Sequence, residues 1–132
     1  MRNNQPVTQK EQDFSADVRL ISMTDLQGDI TFVNRDFIQL SGFTEEELIG
    51  SHHNLVRHPD MPPAAFADLW QTVKSGQTWQ GMVKNRCKNG DHYWVNAYVM
   101  PIVQNGKTIG YMSIRSQPSR EQIVSAEALY SK

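Results

Sequence analysis

The side chains best suited to chemistry lie between positions 52 and 60. Three of the four histidines of the chain occur there within seven residues, beside an arginine and just before an aspartate. These residues are His52, His53, Arg57, His58 and Asp60. Imidazole, guanidinium and carboxylate groups at this density could bind a metal ion, carry out acid–base catalysis or bind an anion, or could form a solvated loop.

The spacing does not favour a metal site. His53 and His58 lie five residues apart, which does not place them on one helical face, and no HExxH pattern accompanies them. Cys87 is the only cysteine, so the chain has neither a disulfide framework nor a cysteine-based zinc site. We therefore expect no bound metal.

An enzyme active site is not favoured either. Cys87 lies near the end of a predicted hairpin strand, where a lone cysteine is expected to pack as a small apolar residue. The chain lacks a Gly-x-Ser-x-Gly motif, and no second catalytic group is marked near the possible acid–base pair of His58 and Asp60. The formal net charge of −1 gives no electrostatic reason to expect nucleic-acid binding.

An anion-binding site fits the same residues better. Arg57 offers a forked, permanently charged donor group, and His58 adds another donor. A helix predicted to begin near Pro62 would present free N–H groups to the same ligand. The competing interpretation is a solvated loop in which Asp60 caps that helix, and the residue types alone leave both open. No GxGxxG motif or P-loop occurs.

A second polar signal comes from a predicted strand. The period-two rule places Asn85 on the same face as Val83, among apolar neighbours, and places Lys84 and Arg86 on the opposite, solvent-facing side. A buried amide needs hydrogen-bond partners, which either the backbone or a ligand with a planar polar edge can supply. Trp79, just before this strand, could pack against such a planar ring.

The length of 132 residues predicts a single domain, and turn signals divide the chain into predicted strands and helices. The segments LQGD, KNGD and QNGK each contain a glycine suited to a hairpin turn. They separate five predicted strands, at 18–24, 30–33, 80–87, 92–102 and 108–115.

Helix signals fill the gap between the second and third strands. Asn34 is a good N-cap, Thr44 and Glu47 match a capping box, and the two prolines at 62–63 are well placed to start a helix that closes at Gly76. The order β-β-α-α-α-β-β-β predicts an α+β fold, with helices packed on one face of a five-stranded antiparallel sheet.

Both ends of the chain lie outside this pattern. Residues 1–17 form a polar lead-in without the apolar core of a signal peptide, and no apolar run is long enough to span a membrane. Residues 117–132 are predicted as a linker helix capped by Ser119. A helix that continues beyond the domain suggests a piece of a longer protein.

The middle of the chain resembles PAS sensor domains over residues 18–116. The run from Asn34 to Gly50, with Phe37, Ser41 and Gly42 between them, is similar to the PAS pattern N-x-x-F-x-x-x-[ST]-G-[FY]-[ST]-x-x-E-L-x-G. GMVKNRCKNGDHYWVNAYVMPI resembles the hairpin of that family, and GYMSIR resembles its final strand.

The segment HNLVRHPDMPPAAFADLW narrows the resemblance to the PAS domains of bacterial aerotaxis receptors, which hold FAD. Compared with the flavin-binding LOV branch, His53 stands in place of the adduct-forming cysteine and Arg57 in place of a glutamine. Asn85 matches a LOV asparagine that bonds the flavin ring edge, whereas Val95 and Met112 replace two other polar contacts. The resemblance therefore implies non-covalent FAD and a differently tuned flavin.

The resemblance also assigns roles to nine residues. The flavin ring is expected among four of them, His53, Leu55, Trp79 and Asn85. The charged or ribityl part is expected near Arg57, His58 and Asn34, while Asp60 and Phe66 shape the pocket.

The implied function is a redox or oxygen sensor that is not an enzyme. It is expected to form a homodimer through the PAS domain and its flanking segments, and to act on the HAMP and chemotaxis signalling module of the same receptor. The domain would be cytoplasmic, with an inner-membrane anchor outside this chain. A heme-binding PAS gas sensor using His53 or His58, and a cofactor-free PAS dimerisation or docking module, remain as alternatives.

Overall fold

The computed structural model describes residues 6–131, which contain five strands, four α-helices and one short 3₁₀ helix. In chain order these are β1 Leu20–Thr24, β2 Ile30–Val33, α1 Arg35–Ser41, α2 Glu45–Leu48, the 3₁₀ helix His53–Val56, α3 Pro63–Lys74, β3 Trp79–Arg86, β4 His92–Gln104, β5 Lys107–Ser116 and α4 Arg120–Tyr130. Residues 1–5 of the predicted lead-in and residue 132 of the predicted linker helix lie outside the described residues.

The five strands form one antiparallel sheet in the order β2-β1-β5-β4-β3. The predicted strands and hairpins are confirmed. They could be predicted because each turn depends on residues that are neighbours in the sequence. In the turn between β4 and β5, Asn105 and Gly106 both have positive φ, of 53° and 77°. Asparagine and glycine adopt this backbone conformation at low cost, which explains why the Asn-Gly signal was reliable.

Helices α1 to α3 cover the inner face of the sheet, defined here as the face that carries Asn85. Their ends follow the predicted caps. The Asn34 side chain accepts a hydrogen bond from the Phe37 N–H, and Thr44 and Glu47 form a complete capping box. The buried core lies between these helices and the sheet and includes Phe37, Leu48 and Val95. The predicted α+β class is therefore confirmed.

The C-terminal helix α4 packs on the opposite, outer face of the sheet. Ile123 and Ala126 of α4 form a small second core with Trp94 of β4, and the Tyr130 hydroxyl donates to the Met82 carbonyl oxygen at 2.8 Å. The helix predicted from the Ser119 cap is present, but the sheet is covered on both faces rather than one.

Because the outer face of the sheet is covered, one expectation about β3 is wrong. Lys84 and Arg86 were predicted to face solvent, yet only 6% and 5% of their surfaces are exposed. Lys84 binds Asp60 through a 2.8 Å ion pair, and the Arg86 guanidinium lies 5.8 Å from the ring centre of Phe43. The alternation of the strand was predicted correctly, but the elements that cover its outer face come from distant parts of the chain.

The segment before β1 lies against the start of β4. The His92 N–H donates to the Lys10 carbonyl oxygen at 2.8 Å, and the Gln12 N–H donates to the His92 carbonyl oxygen at 2.6 Å. The Asp91 carboxylate also accepts a hydrogen bond from the Gln12 side chain at 2.6 Å. The predicted boundaries of the domain at 18–116 stay predictions. Within residues 6–131, no helix has the length and apolar character needed to cross a bilayer.

Candidate functional site

A cavity lies between the inner face of the sheet and the wall formed by α3 and the 3₁₀ helix. Its volume is about 70 Å³, which is room for only a few water molecules. The lining residues are Ser22, Thr24, His53, Val56, Arg57, Phe66, Leu69, Trp70, Val83, Asn85, Ala97, Val99, Tyr111, Met112, Ser113 and Arg115. This set combines apolar walls with a few polar groups, as small-molecule sites usually do.

Three aromatic rings fill much of the space between the helical wall and the sheet. The ring centres of His53 and Trp70 lie 5.2 Å apart, and those of Trp70 and Tyr111 are also 5.2 Å apart. A planar ligand could replace these contacts by stacking on the same rings. Because the free volume is small, His53 and Trp70, both half-buried, must move when a ring system enters.

Three side chains of the cavity each carry a buried polar atom without a hydrogen-bond partner among the described residues. The atoms are Nε2 of His53, Nδ2 of Asn85 and Oγ of Ser113. The Asn85 side chain also lies close to the buried Tyr93 hydroxyl, but the two groups do not have the geometry of a hydrogen bond. Leaving a buried donor or acceptor unsatisfied costs about 1–3 kcal/mol each. Their common location in one cavity indicates that a polar ligand or ordered water satisfies them.

His53 is held in its neutral form. Burial, with smaller contributions from the nearby His52, Arg115 and Arg57, lowers its pKa to about 3. A neutral imidazole has one donor and one acceptor nitrogen, so at physiological pH His53 can donate a hydrogen bond or stack on a ring without adding a charge.

Arg57 reaches the cavity because its segment runs along the free edge of β3. Its backbone forms an isolated antiparallel bridge with Asn85, and its guanidinium lies 4.1 Å from the ring centre of Phe66. This geometry brings together the predicted anion-binding arginine and the predicted ring-edge amide. Burial lowers the pKa of Arg57 from its ordinary value, but the group remains a cation.

Arg115, at the end of β5, is the second charged lining residue, and the sequence interpretation missed it as it missed Ser113. Its Nη1 donates to the Ser22 hydroxyl at 3.0 Å, and burial lowers its pKa to about 10. A signal was available in the sequence. The period-two rule that placed Asn85 inward also puts Arg115 on the same face as Tyr111 and Ser113.

Four of the nine predicted cofactor-binding residues line the cavity, namely His53, Arg57, Phe66 and Asn85. Two others have structural contacts. The Asn34 side chain accepts from the N–H groups of Ile21 and Phe37 at 3.1 Å and donates to the Arg19 carbonyl oxygen at 2.8 Å, which ties β1 to α1. Leu55 is buried in the main core.

His58 and Asp60 lie outside the cavity lining. Residues beside an edge strand alternate in direction, so Arg57 points inward and His58 points towards the outer face. The His58 ring lies 5.8 Å from the His92 ring, and burial lowers its pKa to about 4. Asp60 pairs with Lys84 instead of capping α3, whose N-cap is Pro62.

Trp79 also lies outside the cavity lining. Its indole N–H donates to the Asp68 carboxylate at 2.9 Å, which fixes the ring beside Gly81 on the same strand. Five predicted residues thus lie outside the cavity lining, namely Asn34, Leu55, His58, Asp60 and Trp79. Their assignment to the cofactor stays a prediction, since larger parts of a dinucleotide could extend beyond the cavity.

Cys87 packs as expected from the sequence. It is buried, its Sγ lies 3.3 Å from the Leu40 carbonyl oxygen, and burial raises the pKa of the thiol to about 11. Over the part of the chain that the structure describes, no three histidine, cysteine, aspartate or glutamate side chains are grouped closely enough to hold a metal ion.

Comparison with known sequences gives the family. The model of the PAS-fold family matches residues 30–115. The aerotaxis receptor of Escherichia coli is 54% identical over 130 residues, covering 98% of this chain and 26% of that receptor. The nitrogen fixation regulatory protein of Klebsiella pneumoniae is 26% identical over 96 residues, covering 72% of this chain and 19% of that protein. The chain thus spans about a quarter or less of these relatives.

Comparison with solved structures gives the same fold. The light-state structure of the blue-light photoreceptor Aureochrome1 LOV has a TM-score of 0.72 at 18% identity, covering 85% of this chain and 88% of that one. A PAS domain from Colwellia psychrerythraea has a TM-score of 0.69 at 25% identity, covering 77% and 87% of the two chains. The chain therefore belongs to the PAS-fold family, with a sequence similar over nearly its whole length to part of an aerotaxis receptor.

Proposed function

We propose that this PAS domain binds FAD non-covalently in the inner cavity and serves as the redox or oxygen sensor of an aerotaxis receptor. The observation that carries the proposal is the set of cavity-facing polar atoms. His53, Asn85 and Ser113 present buried atoms without partners among the described residues, between aromatic and aliphatic walls that suit a planar ring.

The charge of the lining supports an anionic cofactor. Two arginines, Arg57 and Arg115, line the cavity, and the described lining residues include no aspartate or glutamate. Arg57 is half-buried and stacks on Phe66, so it can hold a phosphate group while part of that group stays hydrated.

The relatives support the same cofactor class. The most extensive sequence similarity described above is to an aerotaxis receptor. One structural neighbour, with a TM-score of 0.73 at 17% identity, belongs to a study of a flavin analogue in a light-oxygen-voltage domain. A bound flavin would supply reversible electron uptake. The choice of FAD over other flavins rests on the resemblance to aerotaxis receptors.

The residues of this chain then have distinct tasks. Asn85 would hold a polar edge of the ring, while neutral His53 and Trp70 would pack against its faces. A change in charge on the cofactor would alter which groups Asn85 and His53 pair with. Asn85 lies on β3, which pairs along its length with β4, and α4 packs on the outer face of both strands. A re-pairing could therefore shift the population of α4 conformations.

We further propose that the domain is a signalling module rather than an enzyme. Its partners would be a second copy, through the PAS domain and flanking segments, and the HAMP and chemotaxis module of the same receptor. The domain would lie on the cytoplasmic side of the inner membrane, anchored by a segment outside this chain.

The test is the absorption spectrum of the purified protein, followed by chromatography of the chromophore released on denaturation. We expect flavin bands and one equivalent of released FAD, and we expect Arg57→Ala to purify with much less of it. A Soret band would instead identify the heme-binding alternative. A colourless protein that also fails to bind added FAD would contradict the proposal and favour the cofactor-free dimerisation or docking module.

A further inference from the structure

Arg115 is a half-buried cation on the inner face of the sheet, and no carboxylate among the described residues pairs with it. Its single described hydrogen bond runs to the neutral Ser22 hydroxyl, and its guanidinium lies 5.1 Å from the ring centre of Phe37. The four ion pairs of the described residues join Asp60 to His58 and to Lys84, Glu47 to Lys88, and Glu11 to Arg120. None of them includes Arg115.

This arrangement is unfavourable unless something compensates it. Removing an ion even partly from water is unfavourable, and proteins usually offset that cost with an opposite charge. Lys84 shows how this chain does so elsewhere, because its ammonium group lies 2.8 Å from the Asp60 carboxylate. Arg115 instead opens onto the cavity, so a ligand in the cavity is in a position to supply the missing negative charge.

The two cavity arginines lie in places that suit different parts of an anionic cofactor. The Arg57 segment runs along the free edge of the sheet, where a strongly hydrated diphosphate can keep part of its water. Arg115 lies on β5, which has β1 on one side and β4 on the other, so it sits over the middle of the sheet. An apolar ring system is the part of the cofactor that would be buried at that depth.

We infer that Arg115 faces the ring system of the bound flavin and stabilises the negative charge that the ring gains on reduction. This inference rests on the proposed flavin binding, and it assigns Arg115 a role in setting the reduction potential of that flavin. A cation beside the ring favours the reduced, anionic form over the neutral oxidised form, and therefore raises the reduction potential. The protein would use Arg115 to set the cellular redox level at which the sensor responds.

The test is an anaerobic spectroelectrochemical titration of the flavin-loaded protein. Arg115→Gln should shift the equilibrium towards oxidised flavin at least tenfold, which is about 30 mV for a two-electron couple. Arg115→Lys keeps the charge and should retain most of the potential. Arg35→Gln, which removes an exposed arginine on α1, is the matched control and should leave the potential unchanged.

The outcomes separate this inference from the proposal beneath it. A wild-type protein that takes up no flavin would overturn both. Flavin binding with equal potentials for wild type, Arg115→Gln and Arg35→Gln would overturn the role of Arg115 alone. Weaker binding of oxidised and reduced flavin by the same factor would also overturn it, because that result places the guanidinium at the diphosphate.

A second pair of variants covers the case in which Arg115→Gln does not fold. Ser22→Asp would place a carboxylate next to the Arg115 guanidinium, and Ser22→Asn is its uncharged counterpart. We expect Ser22→Asp to lower the potential relative to Ser22→Asn. Equal potentials in the two variants would contradict a charge effect at this site.

Discussion

The two faces of the sheet differ in whether a carboxylate pairs with the cations that lie there. On the outer face, Lys84 is paired with Asp60, and His58 packs near His92. On the inner face, Arg115 and Arg57 line a cavity whose described residues include no carboxylate. Within residues 6–131, histidine nitrogens without a hydrogen-bond partner occur on both faces. A cavity and an unbalanced positive charge, rather than unsatisfied atoms alone, therefore distinguish a ligand site from a structural cluster.

The compact histidine segment at 52–60 is divided between these two regions. His53 and Arg57 contribute to the cavity, whereas His58 and Asp60 contribute to the outer cluster. Alternation beside an edge strand produces this division, so residues that are neighbours in the sequence point to opposite sides of the sheet.

The largest expected effect comes from replacing one tryptophan on each side of the sheet with alanine. Trp94 is only 4% exposed and anchors α4, so Trp94→Ala should lower the free energy of unfolding by about 3 kcal/mol. Trp70→Ala removes a half-buried ring from the cavity wall and should cost less stability while weakening FAD binding more. Urea unfolding and FAD titration of both variants measure this contrast. Equal losses of stability would contradict the different roles of the two faces.

Acid should destabilise the protein through one histidine in each region. The pKa values of His53 and His58 are lowered from 6.5 to about 3 and about 4. The unfolded chain therefore binds protons below pH 6.5 that the folded chain does not, so stability is complete above that pH and declines as the pH falls towards 4. The decline is at most about 1.4 kcal/mol per pH unit for each histidine.

Urea unfolding as a function of pH tests this expectation. Replacing either His53 or His58 with glutamine should reduce the slope below pH 6.5, and replacing both should reduce it further. Burial also lowers the pKa of His92, so that residue should account for part of the slope that remains. A wild-type stability that stays constant between about pH 6.5 and 5 would show that the histidines titrate normally in the folded state.

A smaller effect is expected from the outer ion pair. The Lys84 side chain is 8% exposed but the Asp60 side chain is 53% exposed, so Asp60→Asn should cost about 1 kcal/mol, between the values for exposed and buried pairs. Glu47→Gln breaks the exposed 2.6 Å pair with Lys88 and is the matched control, with an expected loss of stability smaller than that of Asp60→Asn because solvent screens the exposed pair. FAD affinity should be unchanged in Glu47→Gln, whereas a loss of affinity in Asp60→Asn would support the predicted position of Asp60 near the cofactor.

Local signals in the sequence predicted most of the fold. Asn-Gly turns, the Asn34 cap, the Thr44 capping box and the proline start of α3 depend on neighbouring residues, and each is present in the structure. Strand alternation correctly placed Asn85 inward. The same rule would have found Arg115 if it had been applied to β5.

Features that depend on distant elements could not be predicted in this way. Lys84 and Arg86 are on the predicted face, but α4 and the segments around 10–12 and 57–61 cover that face. The direction of His58 depends on how its segment lies beside β3, which neither composition nor spacing reports. The hydrogen bond from the Trp79 indole N–H to Asp68 on α3 likewise joins residues that the strand pattern does not relate.

The most direct test of the cavity as the flavin site compares two asparagines on opposite faces of the sheet. Asn85 faces the cavity, while Asn96 lies on the outer face of β4, where its side-chain oxygen accepts from Gln80 at 3.4 Å. The measurement is the dissociation constant for FAD of Asn85→Ala and Asn96→Ala. We predict an increase of about tenfold or more for Asn85→Ala, from the loss of a buried hydrogen bond, and no change for Asn96→Ala. Unchanged affinity in Asn85→Ala, or an equal loss in both variants, would contradict the assignment of this cavity to the flavin.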